Sequence, residues 1–289
     1  RILSSLERGW YAAPSEKGNL ILPGFDGGGE WGGAAADPNG ILYVNSNEMG
    51  WIQTMKKSNK ANPQQKAYQT YCSSCHGIDK KGNPQSGYPS LVDITAKKSK
   101  SYIQQTIANG KGMMPGFNQL SSTEKTQILN FILNEVPKEV TNSTSTTYEP
   151  PYQMTGYTKF LDPQGLPALS PPWGTLNAID LNTGNYLWKV PFGEEPSLAQ
   201  KGITGTGAEN YGGPLVTASG LLVIGAAKDG KLRIYESKTG KLLRAIKLPA
   251  AAFATPSTYA VKGKQYIVIA CGGTKLGTPK GNTYIAFSL

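Results

Sequence analysis

The feature that most constrains the fold is an internal repeat. Ala178-Ile179-Asp180-Leu181-Asn182-Thr183-Gly184-Asn185-Tyr186-Leu187-Trp188 aligns position for position with Ile234-Tyr235-Glu236-Ser237-Lys238-Thr239-Gly240-Lys241-Leu242-Leu243-Arg244. Ala286-Phe287 reads as the opening of a third copy, so successive copies begin 56 and 52 residues apart. Each copy reads as strand, tight turn, strand. The acidic side chain can bond amides of its own turn, and the glycine supplies a positive φ. The tryptophan that ends the first copy can dock flat on a neighbour. A period near 50 with several short strands per unit is the signature of propeller blades. The competing reading is a pair of ordinary β-hairpins. The high count of breakers, Gly 35 and Pro 20 in 289 residues, agrees with many short strands and turns.

The repeat does not run through the whole chain. Asn19 to Trp51 is strand-like, with apolar runs at Leu20-Ile21-Leu22 and at Ile41-Leu42-Tyr43-Val44. Met55 to Asn62 is polar and lysine-rich and reads as a linker, as does the Ser/Thr run from Thr141 to Pro151. Between them the pattern is helical. Asn62-Pro63-Gln64-Gln65 reads as a helix start that runs into Cys72. A second helix near Ser101–Asn109 carries Ile103 and Ile107 and stops at Gly110. A third starts at the capping-box pattern Ser121-Ser122-Thr123-Glu124 and carries Ile128, Leu129, Phe131, Ile132 and Val136 ahead of Pro137. The expected domains are therefore 1–54 as a blade segment, 55–140 as an inserted helical domain, and 141–289 as C-terminal blades. Roughly 190 β residues make three to four blades, fewer than a ring usually needs. Edge strands would then be exposed, so the chain is expected to be the C-terminal part of a larger propeller.

Inside the helical segment, Cys72-Ser73-Ser74-Cys75-His76 is the C-x-x-C-H haem-attachment signature. One helical turn places two thiols to add to two vinyl groups, and the histidine that follows presents its imidazole to the iron. A redox cysteine pair or half a zinc site uses the same first four residues. Zinc needs further ligands, however, and the chain holds a single His and one other Cys, Cys271. A sixth ligand is expected from Gly110-Lys111-Gly112-Met113-Met114-Pro115, with Met114 as the ligand and Met113 as packing. Cys271 reads as a small buried hydrophobe, and three cysteines so placed exclude a disulfide framework.

Charge adds a partner class. The chain carries +10, and Ile52 to Val140 holds 12 lysines against 5 acids. A lysine-rich face attracts acidic partners, although a basic face kept for solubility is the plainer reading. Arginines interleaved with aromatics are missing, which argues against nucleic acid. No window of about 20 apolar residues suggests a transmembrane segment. The chain begins at Arg1 without a signal-peptide core, so it is expected to be processed or part of a longer protein.

Residues 62–136 resemble a class I c-type cytochrome, on the haem motif, the Met-Pro loop and the three helices. The resemblance implies that a proline carbonyl, here that of Pro89, accepts the other N–H of His76. A plain turn residue is the alternative. The β segments resemble quinoprotein dehydrogenases that use pyrroloquinoline quinone (PQQ), closest to the membrane glucose dehydrogenase type. The carrying residues run from Leu22 to Gly33, from Pro172 to Leu176, across the Ala178 to Trp188 motif, from Asn210 to Pro214, and from Ala254 to Tyr259.

That resemblance implies a mainly β fold: part of an eight-bladed propeller with an inserted all-α cytochrome c domain. It implies an enzyme that oxidises a sugar or other alcohol with PQQ and passes electrons through haem c to a quinone or an acidic cytochrome. It places the protein in the periplasm, with a membrane anchor possible in a preceding segment. Glu30, Trp31, Asn210 and Tyr211 match positions around the quinone, with Asn47 and Glu48 facing the same funnel. For each of these, blade packing or a solvated loop competes. No position here matches the family's catalytic aspartate or its calcium ligands, so both are expected outside this chain. Two rival readings remain: an electron-transfer cytochrome domain on a non-catalytic propeller scaffold, and a non-enzymatic propeller resembling outer-membrane assembly lipoproteins.

Overall fold

A computed structural model describes residues 2–30, 32–58, 63–83, 87–135 and 150–288. Its contacts divide the chain into two compact units. One comprises Arg1–Leu20 with Ile52–Thr158, and the other Ile21–Trp51 with Lys159–Leu289.

The helical unit carries α1 (Pro63–Tyr71), α2 (Ser73–His76), α3 (Lys100–Asn109) and α4 (Ser122–Leu133). Ser99 caps α3 by accepting from the amide of Tyr102, and Gly110 ends it with φ 75°. Ser121 and Glu124 close a full capping box at α4. Asn134 ends that helix in the left-handed region, so Leu133 is its last residue. Asn62, Val136 and Pro137 lie outside the described residues. Tyr68, Ile103, Ile107, Ile128, Leu129 and Ile132 form the core, and Cys72 belongs to it. Met55–Lys57, read above as linker, is a strand: Met55 stands opposite Met154 and Lys57 opposite Tyr152. Backbone pairing across the ends of the segment overrides the local polarity. Most of the second expected linker lies outside the described residues.

Among the described residues, three sheets lie wholly within the β unit. In the first, β1 (Ala35–Ala36), β2 (Ile41–Asn47), β3 (Gly174–Asp180) and β4 (Asn185–Pro191) lie in that order. In the second the order is β5 (Leu215–Val216), β6 (Leu221–Ile224), β7 (Lys231–Glu236) and β8 (Leu242–Lys247). The third has β9 (Ser257–Val261), β10 (Lys264–Cys271) and β11 (Thr283–Ser288). All pairings within these sheets are antiparallel. The helical segment therefore interrupts the first blade between its second and third strands.

The aligned repeats occupy equivalent places. β3, β7 and β11 are each the third strand of their sheet, and the register shifts at Ala178/Ile179 and again at Ile234/Tyr235. Asp180 bonds the amide of Asn182 and the hydroxyl of Thr183 within its own turn. Trp188 donates Nε1–H to the carbonyl of Ser237 at 2.9 Å. A Cβ on Gly240 would lie 2.7 Å from the Trp188 ring, and Gly240 has φ 69°. The first blade thus docks its tryptophan on the turn of the next, and only glycine leaves room for it. Cys271 is fully buried in the last blade's core, where burial raises its thiol pKa.

Candidate functional site

Two sites carry chemistry. The first is the helical unit's C-x-x-C-H turn. Cys72 ends the run of α1 and precedes α2, and the His76 amide bonds the Cys72 carbonyl at 2.9 Å. His76 is buried, and its Nδ1 lies 2.9 Å from the carbonyl oxygen of Pro89. A carbonyl only accepts, so Nδ1 carries the proton and Nε2 keeps its lone pair for a ligand. Burial lowers the His76 pKa, which also favours the neutral ring, while the Pro89 contact works against it. Gly82 makes this contact possible: a Cβ there would meet the Pro89 oxygen at 2.4 Å.

The thiols weigh against a redox-active pair. Burial, and then Cys75, push Cys72 up to about 12, and burial raises Cys75 as well. A redox-active pair works through a lowered thiol value, which neither cysteine has. Cys72 is buried and Cys75 half-buried. Among the described residues no group of three His, Cys, Asp or Glu could hold a metal.

Met114 packs against the core cluster that contains Cys72, held by paired backbone bonds between Lys111 and Met114 of 2.9 and 3.0 Å. Met113 is 53% exposed, so it is not the packing residue expected above. The tight turn that turns Met114 inward leaves its neighbour outside. The donor set, a neutral imidazole, a half-buried thioether and two thiols on one turn, fits haem c.

The second site lies in the β unit. Along β2 the inward positions are Tyr43, Asn45 and Asn47, so two of three buried side chains on an alternating strand are polar. Asn47 donates Nδ2–H to Glu30 Oε1 at 2.6 Å. Asn210, wholly buried, donates to Asn47 Oδ1 and accepts from Asn45 Nδ2 at 2.6 Å. Its amide groups are thus used inside the protein, and it frames Glu30 through Asn47. Tyr211 Oη lies 3.0 Å from Asp26 Oδ1 and 3.2 Å from Glu209 Oε1. Lys159 pairs with both Glu209 oxygens, at 2.7 and 2.6 Å, and Lys275 Nζ sits 3.3 Å from the Tyr211 ring centre.

Buried oxygens here lack partners: Oδ2 of Asp26 and Oε2 of Glu30. Burial above all raises Asp26 to about 6 and Glu30 to about 7. Glu209 also raises Asp26, both by its charge and through a direct side-chain hydrogen bond between the two carboxyls, whereas Lys275 opposes the rise at Glu30. Glu30 is therefore part-protonated at neutral pH, and Asp26 becomes so in the mildly acid range. Glu48 points elsewhere, to an exposed pair with Lys189 at 2.8 Å. Trp31 lies outside the described residues.

Residues 104–267 match the PQQ family described as glucose/ethanol/alcohol dehydrogenase, beta-propeller domain. This chain belongs to that family. As a PQQ-family propeller it is mainly β and partial, and it carries a cytochrome: residues 59–132 match the family described as cytochrome C oxidase, cbb3-type, subunit III. The quinoprotein glucose dehydrogenase of Escherichia coli (strain K12) is 28% identical over 288 residues, covering 97% of this chain and 28% of that relative. The glycerol dehydrogenase large subunit of Gluconobacter thailandicus is 36% identical over 132 residues, covering 43% of this chain and 18% of the relative. The crystal structure of quinohemoprotein alcohol dehydrogenase from Comamonas testosteroni aligns with a TM-score of 0.44 at 15% identity, over 94% of this chain and 27% of that one. The chain thus spans less than a third of the length of these relatives.

Sequence reasoning brought Glu30, Asn210 and Tyr211 to one pocket but missed Asp26, Lys159, Glu209 and Lys275. The Asn-x-Asn alternation at 45 and 47 was the available signal, since polar residues at inward strand positions need buried partners.

Proposed function

We propose that the chain is the C-terminal part of a quinohaemoprotein dehydrogenase that oxidises a sugar or other alcohol. The carrying observation is the coexistence, in one chain of the PQQ family, of a C-x-x-C-H turn whose histidine is fixed by the Pro89 carbonyl. PQQ when bound takes two electrons and two protons from the alcohol, and haem c supplies a one-electron site. Cys72 and Cys75 would hold the haem by thioethers, and His76 Nε2 and the Met114 sulfur would be the iron's ligands. Pro89 orients His76. Glu30 and Tyr211 would hold the quinone, Asn210 frames Glu30 through Asn47, and Lys275 would supply positive charge for an anionic cofactor; Trp31 joins this set on the family resemblance alone. The catalytic base and the calcium ligands lie outside this chain.

The lysine-rich helical segment suits an acidic cytochrome as acceptor, with a quinone as the other candidate. Covalent haem attachment places the protein in the periplasm, and membrane association would come from a preceding segment. Among the described residues no helix is long and apolar enough to cross a membrane. The test is to add PQQ, calcium and a panel of sugars and alcohols to the full-length protein. Haem reduction that requires PQQ supports the reading. Its absence with every substrate favours an electron-transfer domain on a non-catalytic scaffold.

A further inference from the structure

The contacts around Tyr211 present a counting problem. Its hydroxyl has one proton, yet it lies within hydrogen-bond distance of two carboxyl groups, Asp26 at 3.0 Å and Glu209 at 3.2 Å. With both carboxyls ionised, only one contact can be a hydrogen bond and the other sets two oxygen lone pairs against each other. One additional proton resolves this. Asp26 then donates to Tyr211, Tyr211 donates to Glu209, and Glu209 accepts twice from Lys159. The Lys159–Glu209 pair is buried, with side chains 6% and 7% exposed, and Lys159 donates to both Glu209 oxygens, so Glu209 is the accepting end of the chain. The unpartnered Asp26 Oδ2 fits as well, because a neutral carbonyl oxygen is less costly to leave unbonded than a carboxylate oxygen.

We infer that Asp26, Tyr211 and Glu209, anchored by the buried Lys159, form a half-buried proton wire that stores one proton and passes it between the two carboxyls through the tyrosine hydroxyl. Transfer is balanced. Asp26 gives its proton to Tyr211 Oη as Tyr211 gives its own to Glu209, and the reverse step restores the start. The charged and titratable groups facing Asp26 are Glu209, Lys159, Tyr211, Glu30 and Lys275, and burial together with Glu209 holds the Asp26 proton on. The use of the wire rests on the dehydrogenase reading: alcohol oxidation releases protons inside the pocket, and a half-occupied pair of carboxyls can take one up. Asp26 and Glu209 are thus positioning and proton-holding residues of this pocket, with no contact to substrate assigned.

The test is infrared difference spectroscopy of the full-length protein, without PQQ, in H2O and D2O across the acid-to-neutral range. It is run in a Glu30→Gln background so that the Glu30 carboxyl does not contribute. The expected result is one buried carboxylic-acid carbonyl band that is lost in Asp26→Asn. In Tyr211→Phe the band persists but shifts in frequency and in titration midpoint, because the wire is cut. Circular dichroism checks that each variant is folded. Absence of any buried acid band in folded Glu30→Gln protein overturns the wire, as does a band that survives Asp26→Asn and Glu209→Gln together. Neither outcome depends on catalysis, so a failure of PQQ-dependent haem reduction would leave this result standing, and the converse also holds.

Discussion

The helical unit and the β unit hold their chemistry in opposite ways. The helical unit concentrates it: Cys72, Cys75 and His76 sit on one turn, and a single backbone carbonyl orients the histidine. The β unit disperses it. Asp26, Lys159, Glu209 and Lys275 come from four distant stretches and depend on Asn45, Asn47 and Asn210 to frame them. A local site can lose its function without losing its fold. A dispersed one ties its electrostatics to the fold itself.

The sharpest separation of the two is expected from Cys72→Ala with Cys75→Ala. All covalently attached haem should be lost by mass and by the reduced haemochrome spectrum, while β-unit stability is unchanged. Retention of haem mass would break the comparison. Met114→Leu should keep the covalent haem but lose the thioether ligand and lower the haem potential, measured by redox titration. In the β unit, Trp188→Ala removes the Ser237 bond and the ring on Gly240. It should cost about 2–3 kcal/mol, below the range for fully buried aromatics because this ring is only half-buried. Denaturant midpoints of the variant and the parent measure it.

Glu30→Gln tests the coupling of site to fold. Glu30 has its folded pKa raised, so its favourable contribution is complete below 4.5 and is lost as pH rises through about 7. The parent should therefore lose up to about 3 kcal/mol across that window relative to the variant, seen as converging and then reversed denaturation midpoints. A constant difference at all pH values would place the Glu30 charge in solvent. The smallest effect is expected from Ser121→Ala, which removes one half of the capping box of α4 and should cost about 1 kcal/mol by thermal melts, with the haem spectrum unchanged.

Local rules made much of the helical unit legible. The caps at Ser121 and Gly110, the C-x-x-C-H turn and the inward turn at Met114 all depend on residues close in sequence. The blade repeat was legible for the same reason, since Asp180, Thr183 and Gly184 build one turn. The strand at Met55–Lys57 was not, because its only support is a partner almost a hundred residues away. Met113 was misread because only the turn decides which of two adjacent thioethers faces inward.

The sequence by itself determined the C-x-x-C-H turn, the inserted helical segment, the blade repeat and the family, since each is written in short motifs. Only the tertiary structure decided that Asp26, Glu209 and Tyr211 meet beside two lysines, and that Asn210 joins Glu30 through Asn47 with its amide already bonded. The reason is physical. A proton's position depends on burial and on neighbours brought together across the fold, and none of these distances is encoded in local order.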